Sequence, residues 1–273
     1  MEKFDIKELK KLYVAKNHSH KGENGKLLII AGSILFHAAS LWPLEVASRI
    51  VDMVFYSSVS LNNRIVEKNK DKFRNGIVIE REKIEDYIDE SDCILIGPGL
   101  PRENGLEKDD DDTKTLTESL LRKYPNKKWV IDGGSLQVID PSIIPSNSII
   151  TPHGKEFTML FNKKPTPEAV FEEAKKFNIT ILLKGEKDIV CNNKRCVAVE
   201  GGNAGMTKGG TGDVLAGLVA SFYCKNNAFL SASAGSFINK KAGESLYQKV
   251  GPYFNASDLS NEIPYVLKHL VIG

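Results

Sequence analysis

Cysteine is scarce, and none of it is arranged for chemistry. The four residues at 93, 191, 196 and 224 form no C-x-x-C pair and have no histidines at metal-ligand spacing, which excludes a zinc site and a thioredoxin-like redox motif. No stretch approaches the roughly twenty apolar residues that span a bilayer, and Met1-Glu2-Lys3-Phe4-Asp5 lacks the apolar segment of a secretory leader. The protein is therefore expected in the cytoplasm, with no membrane partner. There Cys93 would sit in the core, and Cys191 and Cys196, facing each other across Asn192-Asn193, would stay reduced. No charge of one sign dominates: 37 basic side chains stand against 35 acidic ones, with no basic stripe or tail, so nucleic acid is not an expected partner. Lys163-Lys164, Lys175-Lys176 and Lys240-Lys241 read as solvated surface, and Asp109 to Asp112 as a mobile loop lip. A Pro/Gly/Ser-rich linker and internal repeats are missing too, so residues 1–273 read as one domain, with 1–25 as an N-terminal extension.

What the chain does have is alternation. Short apolar runs take turns with amphipathic segments from about residue 26 onward, the pattern of parallel strands joined by helices. Lys26 to Ala31 ends at Gly32-Ser33, and a helix follows from about Ala39 to Val51. Asp92 to Ile96 runs into Gly97-Pro98-Gly99, and Trp129 to Ile131 into Asp132-Gly133-Gly134. Ser148 to Ile150 runs into Thr151-Pro152-His153, and Ile179 to Leu183 into Lys184-Gly185. In an open parallel sheet ligands bind beyond the carboxyl ends of the strands, so these five polar or glycine-rich endings are expected to converge on one site. Ile189 to Val199 reads as a β-hairpin, and Ser231 to His269 as mainly helical with a break at Gly251-Pro252.

The most informative stretch runs from Gly202 to Asp213 and leads directly into Val214-Leu215-Ala216-Gly217-Leu218. Gly209, Gly210 and Gly212 let the backbone turn tightly around Thr211 and approach a ligand. Val214, Leu215, Leu218, Val219 and Phe222 recur at helical spacing, so this loop opens a helix, whose N-terminal N–H groups attract phosphate. Asp213 then lies in the first turn, beside the anion. A carboxylate there serves either as a helix cap or as the base that takes a proton from a hydroxyl attacking a phosphoryl group. His153 at its strand end is either structural or a ligand contact. Lys184-Gly185-Glu186-Lys187-Asp188 is either a turn of exposed charges or a phosphate contact.

Gly205 through Ala220 resembles the G-x-x-x-G-G-T-G-D-V-L-A-G signature of the ribokinase-like NAD(P)H-hydrate dehydratases. Thr151-Pro152-His153-Gly154-Lys155-Glu156 is similar to that family's T-P-H-P-G-E, Lys184 to Asp188 to its K-G-x-x-[DT], and Gly97-Pro98-Gly99-Leu100 to its G-P-G-L-G, with Pro101 in place of the last glycine. Gly32 to Ala39 resembles G-S-x-x-Y-x-G-A, with Phe36 for tyrosine and Ala38 for glycine. Asp132-Gly133-Gly134-Ser135-Leu136 departs furthest from D-A-D-A-L, losing the second carboxylate. Asn255 to Leu259 resembles a short A-S-D-[IL] helix cap. These correspondences run from about Lys21 to Pro264.

The resemblance implies a three-layer α/β/α sandwich on a mostly parallel sheet, and an enzyme that dehydrates the S epimer of 6-hydroxylated NADH or NADPH using ATP or ADP with Mg2+. It implies Asp213 as the catalytic base; Ala39, Gly99, His153 and Asp213 against the substrate; and Lys184, Gly185, Glu186, Lys187, Asp188, Gly209, Gly210, Thr211 and Gly212 against the nucleotide. Glu156 would order water around the magnesium ion. It further implies a homotetramer. Relatives often carry this unit behind an epimerase domain, and the roughly 25 residues before the first apolar run are too few for one, so a separate epimerase is the expected functional partner. The rival readings are a vitamin-alcohol or sugar kinase of the same fold, stopping after phosphoryl transfer, and a nucleotide-binding regulator without turnover.

Overall fold

The computed structural model describes residues 1–102 and 107–272. Among them ten strands form one sheet: β1 (Glu2–Lys3), β2 (Lys26–Ile30), β3 (Met53–Ser57), β4 (Ile77–Val78), β5 (Cys93–Ile96), β6 (Lys128–Ile131), β7 (Ile149–Ile150), β8 (Thr180–Leu183), β9 (Asp188–Cys191) and β10 (Cys196–Val199). Their spatial order is β1-β10-β9-β8-β7-β6-β5-β2-β3-β4, antiparallel only where β9 meets β8 and β10. Parallel strands of this kind are covered on both faces, and their sequences show it. Leu27 and Ile29 of β2 join one buried cluster while Leu28 and Ile30 join another, and β5 divides the same way, Cys93 and Leu95 against Ile94 and Ile96. The period of two assigns successive side chains to opposite layers.

The helices are α1 (Ala38–Ala47), α2 (Ser60–Lys68), α3 (Ile84–Ile88), α4 (Thr113–Lys123), α5 (Gly133–Val138), α6 (Gly154–Phe161), α7 (Pro167–Phe177), α8 (Thr211–Lys225), α9 (Ala228–Val250) and α10 (Ala256–Leu267). One layer packs Leu44, Leu215, Val219 and Phe229 on the sheet, and the other packs Leu120, Leu136, Phe157 and Val170 on its far side. A third cluster, including Val214, Leu218, Ile238 and Ile263, lies between the helices of the first layer. Helix α8 is buried almost all round, as an apolar helix in the middle of a layer must be.

Several local expectations are corrected. Residues 1–25 are not a bare extension: β1 pairs with β10, and Leu9 and Leu12 are buried among the helices. Strand β3 escapes a reading keyed to glycine at strand ends, because it closes on Ser57-Ser58. Asp109 to Asp112 is not a free lip: Asp110 accepts the Ile34 N–H at 2.8 Å, Asp111 pairs with Arg81 at 2.6 Å, and Asp112 caps α4. Lys240 is not solvated but buried. Cys93 is buried as expected, whereas Cys191 and Cys196, register partners in the hairpin with Cα atoms 4.1 Å apart, are joined by a disulfide instead of standing free.

Candidate active site at the carboxyl ends of the strands

The chain leaves β2 toward β3 on one side and returns through β5 on the other, so the sheet has its topological switch between β2 and β5. A crevice forms at such a switch because successive connections diverge. The loops there are packed backbone to backbone: Gly32 N–H donates to Pro98 O at 2.7 Å, and Gly97 N–H donates to Ile30 O at 3.1 Å. Gly99 has φ +65°, and a Cβ on it would stand 2.5 Å from the Ala39 Cβ. Ala39 and Gly99 are therefore immediate neighbours, brought together by the β2 and β5 endings.

The tails of β7 and β8 continue side by side, with Lys184 N–H donating to Pro152 O at 2.8 Å and His153 bridged to Lys184. That pairing gathers charge. Lys184 Nζ donates to Asp132 Oδ1 at 2.7 Å, and the Thr151 hydroxyl donates to the same oxygen at 2.7 Å. Asp132 is 2% exposed. Burial, the largest single influence on Lys184, favours the neutral amine, but Asp132, Glu156 and Asp213 together outweigh it and raise its pKa. Lys184 is thus held as an ammonium amid three carboxyl groups.

Asp213 lies in the first turn of α8. Gly210 is the N-cap, and no capping box joins it to Asp213, so helix capping does not account for this carboxylate. Its carboxyl is pushed up to about 8, first by burial and then by the negative charge of Asp132; Lys184 pulls it down and Glu156 raises it further. Such a group carries a proton at neutral pH, and once it loses that proton it is a far stronger base than an ordinary carboxylate.

His153 caps α6: its Nδ1 accepts the N–H groups of Lys155 and Glu156 at 3.1 and 3.2 Å, while Glu156 Oε2 accepts the His153 N–H at 2.9 Å. This capping box satisfies donors that a helix start leaves bare. Nδ1 is spent as an acceptor, so the ring proton belongs on Nε2; the side chain is 47% exposed and its Nε2 lies 3.5 Å from Glu156 Oε1. The same Glu156 oxygen accepts from Gln137 at 3.2 Å. Among the described residues no three His, Cys, Asp or Glu side chains form a metal cage.

Beside this cluster opens a cleft of about 960 Å3, whose wall includes His153, Lys184 through Asp188, Glu200 through Ala204, Thr211, Gly212, Asn239 and Lys240. Gly209 and Gly210 are not in that wall. A Cβ on Gly210, where φ is +93°, would stand 2.3 Å from the Trp42 ring, whereas one on Gly209 would meet nothing. The Thr211 hydroxyl donates to Met206 O and Lys208 O, closing the glycine turn on itself. Asp188 is buried and occupied, accepting Gly185 N–H at 2.9 Å and the Ser236 hydroxyl at 2.7 Å. Lys187 is exposed and paired with Glu200 at 2.9 Å. Asn239, also in the wall, has a buried Oδ1 without a hydrogen-bond partner among the described residues.

Sequence reasoning gave Asp132 no role and overlooked Asn239 and Lys240. Asp132 carried the same signal as the other residues at strand ends. A lysine and an asparagine inside a long helix carry none, because only the packing tells which face is inward.

A family model described as NAD(P)H-hydrate dehydratase matches residues 27–265. The bifunctional NAD(P)H-hydrate repair enzyme of Methanocaldococcus jannaschii is 36% identical over 271 residues, covering 96% of this chain and 52% of its own length. The chain thus spans about half of that relative, and likewise half of a second archaeal repair enzyme. The ADP-dependent (S)-NAD(P)H-hydrate dehydratase of Nitrosopumilus maritimus is 34% identical over 272 residues, covering 93% of this chain and 92% of its own. The ADP/ATP-dependent NAD(P)H-hydrate dehydratase of Bacillus subtilis, co-crystallised with ATP and Mg2+, superimposes with a TM-score of 0.83 at 20% identity, covering 98% of each chain. At that identity the likeness establishes the fold, a ribokinase-like α/β/α sandwich on a mostly parallel sheet.

Proposed function

This chain belongs to the NAD(P)H-hydrate dehydratase family, and on that premise we propose that it dehydrates the S epimer of 6-hydroxylated NADH or NADPH at the expense of ATP or ADP. The observation that carries the reading is Asp213: a carboxyl held near 8, unspent as a cap, in the first turn of a glycine-led helix and electrostatically coupled to Lys184. The nucleotide lies in the cleft walled by Lys184 through Asp188, Thr211 and Gly212, its terminal phosphates toward Lys184 and the α8 N-terminus. Gly209 and Gly210 shape that turn from behind. Ala39, Gly99 and His153 receive the nicotinamide side.

Once deprotonated, Asp213 accepts the proton of the ring hydroxyl. The freed oxygen attacks the terminal phosphorus, and the bond to the departing nucleotide breaks. Hydroxide leaves poorly and phosphate well, so the phosphorylated oxygen departs as the ring nitrogen pushes in its lone pair. Loss of the proton on the adjacent carbon then restores the dihydronicotinamide double bond. Lys184 holds its charge throughout and offsets the negative charge of the transferring group.

Mg2+ belongs with the nucleotide. Glu156, a buried carboxylate beside Lys184 and Asp213, would hold it through water. The ion's contribution when bound is to neutralise phosphate charge. We further place the protein in the cytoplasm as a homotetramer that draws its S epimer from an epimerase. No helix among the described residues is long and apolar enough to cross a membrane.

The test is to incubate the protein with hydrated NADH, Mg2+ and ATP or ADP and follow the reduced-nicotinamide absorbance. Recovery with either nucleotide is the expected result. Phosphorylation of a vitamin alcohol or sugar without recovery would replace the dehydratase with a kinase of the same fold.

A further inference from the structure

The nucleotide cleft is bounded by two turns at the open end of the β9–β10 hairpin, Gly185 to Lys187 and Gly201 to Asn203, and one face of α9 grips both. Ser236, Lys240 and Glu244, four residues apart, share that face. Lys240 is 5% exposed, and its ammonium donates to Gly185 O at 3.2 Å, Glu186 O at 2.9 Å and Gly201 O at 3.4 Å. An ammonium has three protons, and here three carbonyls from two turns take them. Its charge is balanced by Asp188 Oδ1 at 3.4 Å, and Asp188 is itself fixed by Gly185 N–H and the Ser236 hydroxyl. Glu244 Oε1 accepts Gly202 N–H at 3.1 Å. The second turn is seated directly on this face: a Cβ on Gly201 would stand 2.4 Å from Glu244 Oε1, and one on Gly202 would stand 3.4 Å from Lys240 Cγ.

We propose that Lys240 is a positioning residue for the nucleotide, its buried ammonium fixing the distance between the two turns so that the cleft is preformed at nucleotide width. The inference rests on the nucleotide reading of the cleft. Lys240 touches backbone and Asp188 and is placed on no reacting atom, so its effect reaches binding before chemistry. A residue that merely held α9 to the sheet would lower stability and leave the affinity of the folded fraction unchanged.

Replacing Lys240 alone would strand the buried Asp188 charge and threaten folding, so the decisive comparison is the charge-balanced pair Lys240→Met with Asp188→Asn against Asp188→Asn alone, which cancels any contact that Asp188 makes with the nucleotide. Titration with ADP and steady-state kinetics are expected to show Kd and nucleotide KM raised by about tenfold or more over Asp188→Asn while kcat changes by less than about threefold from it. Unchanged Kd and KM in the folded variant overturn the proposal, as does a fall in kcat at unchanged KM. If the wild type binds neither ADP nor ATP, the nucleotide reading itself fails, a result distinct from both; if it binds ATP alone, the same titration is run with ATP. Should the variant not fold, amide exchange on the unliganded wild type decides. Gly185 N–H and Gly202 N–H, one in each turn, should open together with protection factors within about threefold, and any larger disparity overturns the clamp.

Discussion

At the β2–β5 switch the walls are glycine turns pressed against one another, and around the cleft they are turns held by charged side chains. A Cβ added at Gly32, Gly97 or Gly99 would meet a neighbour at 2.6, 1.8 or 2.5 Å, whereas one added at Gly212 would stand 3.6 Å from Lys184 Nζ and one at Gly185 would stand 3.3 Å from Lys187 O. The first wall has no room for carbon and no titrating group among those contacts. The second has room for carbon at Gly212 but not at Gly201, where a Cβ would stand 2.4 Å from Glu244 Oε1, and it depends on Lys184, Lys240, Asp188 and Glu244. The difference teaches that the two ends should fail to different insults, the switch to added volume and the Lys184–Gly212 side of the cleft to changed charge. Asp213 stands beside the charged end and is tuned by it.

The largest expected effect is at Asp213. Asp213→Asn is expected to retain ADP binding, measured by titration, and to lose turnover by about 10² to 10⁴, the usual contribution of a positioned base. Unchanged turnover would return Asp213 to a structural part and dissolve the contrast at its centre. Next in size is Gly99→Ala. The left-handed φ and the approach to Ala39 should cost about 1–3 kcal/mol of stability by thermal melting. KM for the hydrated nicotinamide should rise while KM for ADP does not. Gly212→Ala serves as the counterpart, with stability close to wild type. If the two variants lose stability equally, the volume contrast between the walls is wrong.

Much of this arrangement is visible in the chain before folding, for a physical reason. Strand endings such as Gly97-Pro98-Gly99 and Lys184-Gly185 advertise themselves because a buried parallel strand must stop where backbone turns or charge begins. The loop from Gly209 to Asp213 is legible because glycines followed by helical periodicity have few other uses. What stays hidden is burial across sequence distance. Lys240 beside Lys241 looks like solvated surface until α9 turns one inward, and Asp110 to Asp112 look free until Ile34, Arg81 and Thr115 are brought to them. Asp132 lay in plain view, yet its importance comes from Lys184, 52 residues on.

The pH dependence sharpens the charged half. Asp213 is raised from its unfolded value of 3.8 to about 8, so kcat/KM of the free enzyme should climb with pH and level off above about 8. Asp132→Asn removes the second-largest cause of that rise, and the inflection should move to lower pH by a measurable amount. The same shift has a stability signature with a definite sign. The folded state binds this proton more tightly than the unfolded chain, so the stabilisation is fully present below 3.8 and is lost as pH rises through about 8. Asp213→Asn, neutral throughout, should therefore melt higher than wild type above pH 8 and show no such advantage in acid. An inflection that stays in place in Asp132→Asn would mean that Asp132 does not tune the base.

The smallest effect is expected at Lys187, and it separates buried charge from exposed charge within the same cleft. Its side chain is 64% exposed and reaches Glu200 at 2.9 Å, but Glu200 is also bonded by Lys3 at 2.7 Å. The Glu200 carboxyl is held down to about 2 first by Lys3 and then by Lys187, so Lys187→Ala leaves the acid paired and desolvates nothing. An exposed pair of this kind contributes little, and the ADP Kd of Lys187→Ala should stay within about twofold of wild type at moderate salt. A tenfold weakening would mean that Lys187 leaves Glu200 to grip phosphate in the complex. The charged wall would then act by direct contact as well as by buried clamping, and its difference from the glycine wall would lie in chemistry as much as in packing.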